Sequence, residues 1–142
     1  MICRKGIWTL AVVVLGVGTY GCTSLPDTSR TAAVHEVKLL EKITPETIRV
    51  QPGDEVRWTN LRKLPAQLDV PNMTSDDLSC QRGFTNWMGS LRETAYLKPN
   101  ETASLCFKKP AVMNYTIRAE TSLGGGRQVL PGSVNVGNPL VR

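Results

Sequence analysis

A single histidine, His35, stands in this 142-residue chain, with four cysteines beside it. That leaves little material for imidazole-based acid–base work or an activated nucleophile, and no catalytic role is expected. Aromatic residues make up 6% of the chain, and beyond Arg4-Lys5 the only adjacent basic pairs are Arg62-Lys63 and Lys108-Lys109. Basic residues this scattered, without interleaved aromatics, read as solvated surface and exclude a nucleic-acid partner. The longest apolar run, Ile7 to Val17, falls well short of the roughly twenty residues that cross a bilayer. Asp69 and Asp76-Asp77 form the one notable carboxylate group, and they lack the alternating ligands and fixed glycine of a calcium loop. Gly124-Gly125-Gly126 has no Gly-Lys-Ser/Thr ending, so it reads as a flexible turn and not as a phosphate cradle.

The N-terminus carries the sharpest positive signal. Arg4-Lys5 precedes the apolar run, and Gly18-Thr19-Tyr20-Gly21-Cys22 follows it, the basic, apolar and small-residue order of a secretory signal. The Gly21-Cys22 junction resembles the lipobox of bacterial lipoproteins, in which Cys22 is acylated and becomes the first mature residue. The family favours Leu where this chain has Thr19, and ordinary cleavage after Gly21 is the competing reading. Cysteine arithmetic favours acylation. With Cys3 discarded, lipid on Cys22 leaves Cys80 and Cys106 as one disulfide pair in an oxidising compartment, with no odd thiol. The expected organisation is a signal peptide over residues 1–21, a lipidated (palmitate-bearing) N-terminus and polar linker over 22–32, and a domain over 33–142. Without Arg4 and Lys5, 15 basic and 12 acidic residues leave a mild net charge of +3.

Past Ala33 apolar residues alternate in short runs: Ile48 and Val50, Val56 and Trp58, Leu68 and Val70, Leu105 and Phe107, Tyr115 and Ile117, Val134 and Val136. A period of two over short runs marks half-buried strands. Val34 to Leu40 alternates as well as it spirals, and its β-branched residues favour a first strand. Gln51-Pro52-Gly53-Asp54 and Lys98-Pro99-Asn100-Glu101 have turn chemistry. Many short strands with Pro and Gly at the corners, and no strand–helix alternation, predict an all-β sandwich of seven or eight strands. Residues 71–94 show no clear period and form the longest predicted loop, pinned by the Cys80–Cys106 disulfide. Asn72, Asn100 and Asn114 each begin an Asn-x-Ser/Thr triplet, which after a lipobox-like start is read as coincidence.

The stretch from Ile43 to Asn60, with its Pro52-Gly53-Asp54 turn and Val56-Arg57-Trp58-Thr59-Asn60 strand, resembles the opening of cupredoxins, the plastocyanin-like blue-copper sandwiches. Leu97 to Phe107 resembles the strand before the family's final hairpin, and Pro110 to Tyr115 with Gly132 to Val136 resembles that hairpin and the closing strand. The resemblance covers most of the mature chain and implies a cupredoxin-like Greek-key sandwich. It also implies copper held by two imidazoles, a thiolate and usually a thioether. This chain departs at each position. Ala66 or Gln67 stands where the first histidine belongs, Tyr115-Thr116-Ile117-Arg118-Ala119 leads to no cysteine, and Glu120 to Pro131 supplies neither histidine nor methionine.

The expected function is therefore that of a membrane-anchored cell-envelope lipoprotein, facing the periplasm or exterior. Its copper-free domain is expected to act as a binding or structural module for another envelope protein. Thr23 after the anchor favours the outer membrane in a Gram-negative cell. No metal ligands or cofactor are expected. The alternative is a copper-handling periplasmic protein with non-standard ligands, drawn from His35, Met73, Met88 and Met113. The candidate partner-binding loop carries Phe84, Trp87 and Met88, where Phe84 and Trp87 either cap the sandwich end or anchor a partner.

Overall fold

The computed structural model describes residues 33–121 and 125–137. The signal segment 1–21, Cys22, the linker 22–32 and Gly124 lie outside the described residues. Among the described residues ten strands run in the order β1 (Val34–Leu39), β2 (Ile43–Thr44), β3 (Thr47–Val50), β4 (Glu55–Asn60), β5 (Ala66–Asp69), β6 (Leu78–Arg82), β7 (Thr94–Leu97), β8 (Thr102–Phe107), β9 (Ala111–Glu120) and β10 (Arg127–Val136). One short 3-10 turn, Ser75–Asp77, precedes β6. No described helix is long and apolar enough to cross a membrane.

The strands form two five-stranded sheets, ordered β2-β1-β4-β8-β6 and β3-β10-β9-β5-β7. β1 runs parallel to β4 and β3 parallel to β10, while all other pairs are antiparallel. This is an all-β mixed sandwich, the architecture that the sequence resemblance implies. The expected seven or eight strands become ten for two reasons. The run before Pro52 changes sheets between Thr44 and Thr47, giving β2 to one sheet and β3 to the other. The predicted loop 71–94 contains β6, an edge strand with a bulge between Leu78 and Cys80 that disturbs the alternation.

Strand periodicity sets the core. Val56, Trp58 and Asn60 of β4 point inward, as do Ile48 and Val50, Leu105 and Phe107, Tyr115 and Ile117, and Val134 and Val136. Trp58 sits at the centre, with Tyr115 edge-on at 5.4 Å between ring centroids and Phe84 edge-on at 6.3 Å. Such T-shaped contacts contribute beyond the area they bury. Gly132 faces Tyr115 across β9 and β10, and a Cβ there would lie 2.2 Å from Tyr115 Cζ, so the bare backbone makes room for the ring. Burial pushes the Tyr115 hydroxyl up to about 12, opposed by the nearby Trp58 indole.

Both predicted turns form. Gly53 (φ 95°) closes one, with Asp54 N–H donating to the Gln51 carbonyl, and Asn100 (φ 65°) closes the other, with Glu101 N–H donating to that of Lys98. Asn72 also has positive φ, so two of the three Asn-x-Thr asparagines have a conformational reason for their identity. The Cys80–Cys106 disulfide forms between register partners of β6 and β8 (Cα–Cα 4.8 Å) and ties the edge strand to the sheet. Among the described residues every strand and every buried apolar residue lies within 34–136, and the disulfide closes inside that span. The described core is assembled from residues that lie past the expected signal segment and linker.

Candidate functional site

The position where the resemblance places the first histidine lies beside the end of the strand expected to lead to the cysteine. β5 lies between β9 and β7, so Ala66 is the register partner of both Ala119 and Leu97. Ala66 is 3% exposed, Ala119 0% and Leu97 2%. The sandwich end that would hold a metal is filled by two methyl groups and an isobutyl group. Gln67 alternates to the outer face, where its amide donates to Asp69 Oδ1 at 2.7 Å.

Asn60 locks this end. It is fully buried, and its Nδ2 donates to the carbonyls of Leu64 (3.0 Å) and Leu97 (2.9 Å) while its Oδ1 accepts from Arg62 N–H (3.0 Å). With both amide hydrogens donated and the oxygen accepting one bond, the carboxamide is a structural tie between the 61–64 loop and β7. The turn that Asn60 sets aims Arg62 across the opening. Arg62 Nη1 donates to the Leu40 carbonyl at 2.7 Å and Nη2 to the Glu120 carbonyl at 2.8 Å, joining the ends of β1 and β9 from opposite sheets. Gln128 Nε2 adds a second inter-sheet contact to the Glu41 carbonyl at 3.3 Å. Arg62 therefore departs from the solvated-surface reading of Arg62-Lys63. Its fork matches two strand-end carbonyls that the sequence does not show to be neighbours.

A blue-copper ion needs soft sulfur and neutral imidazole donors. The groups gathered at this end are a guanidinium, a carboxamide already committed to backbone, and aliphatic carbons, which do not fit the ion. Among the described residues no cluster of three or more His, Cys, Asp or Glu has metal-binding geometry. His35 lies toward the opposite end of β1, where its Nε2 and Asp54 Oδ2 are 2.9 Å apart. Asp54 is 3% exposed and also accepts Gln51 N–H, so His35 closes a turn-stabilising network.

The methionines are divided. Met73 and Met113 are packed against the core and line one groove of about 410 Å³ with Pro71, Phe107, Pro110 and Val112. Its lip carries the Asp77–Lys109 ion pair at 3.1 Å, and hydrogen bonds from Thr74 and Lys109 hold the Asp77 carboxyl below the usual range. Met88 is elsewhere, on the predicted partner loop. Phe84 is 0% exposed and packs on Trp58, whereas Trp87 is 93% and Met88 69% exposed. The three residues named from sequence thus split into one anchor and two projecting side chains.

The loop that presents them is well ordered by local bonding. Gly83 (φ 86°) starts it over Ala103, where an added Cβ would meet the alanine methyl at 2.9 Å. Arg92 N–H donates to the Phe84 carbonyl, and Thr85 bridges Leu91. Gly89 N–H closes a turn onto the Asn86 carbonyl, and Asn86 Oδ1 accepts both Met88 and Ser90 N–H. Trp87 and Met88 are the two central residues of that turn.

No protein-family model and no curated protein sequence matches the chain. Solved structures do. A Cu(I) form of an amicyanin mutant is 18% identical with a TM-score of 0.48, covering 74% of this chain and 83% of its own. A second, reduced amicyanin mutant is 16% identical with a TM-score of 0.49, covering 80% and 87%. A pseudoazurin from Sinorhizobium meliloti is 22% identical with a TM-score of 0.41, covering 76% of each chain.

Proposed function

We propose that this protein is a lipid-anchored binding or structural module of the bacterial cell envelope, built on a cupredoxin-like sandwich whose metal end has been closed. The observation that carries the reading is the pairing of Ala66, at the expected first-histidine position, with Ala119, at the end of the strand that leads to no cysteine, and the Arg62 bonds that span the sheets there. A fold keeps its scaffold when a site is lost, because function resides in the residues placed on it. Tethered through acylated Cys22, to the outer membrane in a Gram-negative cell, the domain meets another envelope component through an exposed surface. The test is metal content and visible absorption of the domain from Thr23 onward after equilibration with Cu(I) and Cu(II). A colourless, metal-free protein is the expected outcome, and stoichiometric copper with an intense visible band overturns the reading. Anchoring is tested separately by detergent-phase partitioning of the processed protein, which Cys22→Ala should abolish.

A second reading, a copper-handling protein, draws on Met73 and Met113 lining one groove. Thioethers suit Cu(I). Cu(I) retained by the domain and lost in the Met73→Leu, Met113→Leu double variant would establish it. Equal uptake by variant and parent would reject it.

A further inference from the structure

We infer that the loop around Trp87 inserts into an anionic lipid surface, so that the domain touches the membrane directly. The inference rests on the envelope reading above for its setting, but its physical grounds lie in the loop. A tryptophan and a methionine occupy the two corner positions of one turn, at 93% and 69% exposure. Neither contributes to the core, whose contact with this loop is made by Phe84 and Leu91. The turn is held by hydrogen bonds from Met88 and Ser90 N–H to Asn86 Oδ1, so the backbone that presents the two apolar side chains needs no further ordering on binding.

Arg82 and Arg92 bracket the loop, both exposed. Among the described residues neither side chain makes a hydrogen bond or an ion pair. The adjacent carboxylate, Glu93, is committed to Asn72 N–H at 2.7 Å. Two uncommitted guanidinium groups beside a projecting indole match the chemistry of a phosphate-rich interface. Basic groups attract the headgroups there, and tryptophan prefers the boundary between headgroup and acyl chain. A folded protein partner fits less well. A stable protein interface takes about 800 Å² from each side with shaped complementarity, far more than a two-residue apolar tip offers. A fluid bilayer needs no matching shape. A single shallow contact of this kind is weak alone and becomes lasting when combined with a second signal such as an acyl chain.

Tryptophan fluorescence provides the test, because the domain from Thr23 onward contains only Trp58, which is buried, and Trp87. The unacylated domain is titrated with vesicles of phosphatidylglycerol and phosphatidylethanolamine, and separately with phosphatidylcholine alone. The expected result is a blue shift and reduced iodide quenching with the anionic vesicles, reversed by salt and absent from Trp87→Ala. Sedimentation with the same vesicles should fall at least about tenfold in the Trp87→Ala, Met88→Ala variant. It should fall about fivefold for each of Arg82→Gln and Arg92→Gln. Absence of any shift with anionic vesicles, or cosedimentation that persists in the Trp87→Ala, Met88→Ala variant, overturns the inference. An equal response to phosphatidylcholine removes the role of the arginines and likewise overturns it. These substitutions lie in an exposed turn, so unchanged circular dichroism and melting separate loss of binding from loss of fold. Failure here leaves the copper measurement to decide the metal-free reading by itself.

Discussion

Replacing Arg62 by Met keeps an unbranched apolar stem and removes the guanidinium that joins the two sheets at the closed end. Two charge-assisted hydrogen bonds are lost, to the Leu40 and Glu120 carbonyls at 2.7 and 2.8 Å. Bonds to charged groups contribute about 1.5–3 kcal/mol each when shielded. These face solvent, and the buried Nε has no partner whose loss would add to the cost, so the sum falls to about 2 kcal/mol. For a domain of this size that lowers Tm by roughly 8–16 °C. Urea unfolding monitored by Trp58 fluorescence should show a lower midpoint at an unchanged slope, since the surface exposed on unfolding is the same. Arg62→Lys, which keeps the charge without the fork, should fall between the two. A loss smaller than about 0.5 kcal/mol, the level of ordinary surface substitutions, would refute the clamp.

Three further outcomes are expected. The Tyr115 hydroxyl, raised to about 12 by burial, stays protonated in the fold after the unfolded chain has lost its proton. Its stabilisation is therefore complete below about pH 10 and is lost between about pH 10 and 12, by an amount on the order of 2–3 kcal/mol; urea melts across that range should slope downward, and Tyr115→Phe should flatten them. Cys80→Ala with Cys106→Ala opens a cross-link of sequence separation 26 and should lower stability by about 3.5 kcal/mol in urea melts of the oxidised parent and the variant. Gly132→Ala should destabilise the domain by about 3 kcal/mol or more in thermal melts, since its Cβ meets the Tyr115 ring at 2.2 Å, and Tyr115→Leu in the same chain should recover part of that loss.

The closed end and the projecting loop divide the labour of the molecule. Asn60, Arg62, Ala66 and Ala119 complete the sandwich where the resemblance would place a ligand loop, and their side chains are spent on backbone or on packing. Trp87 and Met88 do the reverse: their backbone is committed to a turn and their side chains are free. An exposed tryptophan on a rigid turn is the kind of feature that folding alone does not require.

Much of the architecture was legible because strand periodicity is local. The alternation of Val56 with Trp58, or Tyr115 with Ile117, determined which side chains face inward, and Pro52-Gly53 and Pro99-Asn100 determined two corners through backbone preferences alone. The departure from a copper ligand set was equally readable, since it depends only on residue identity at Ala66 and after Tyr115. β6 escaped notice because its bulge breaks the period, and the sheet change between Thr44 and Thr47 because a switch of partner leaves the alternation intact. What only tertiary structure decided are relations between residues distant in sequence. Arg62 found carbonyls 22 and 58 residues away. Phe84 and Trp87, three positions apart in one loop, were sent to the core and to solvent. Such outcomes follow from how ten strands stack into two sheets, and no local pattern encodes them.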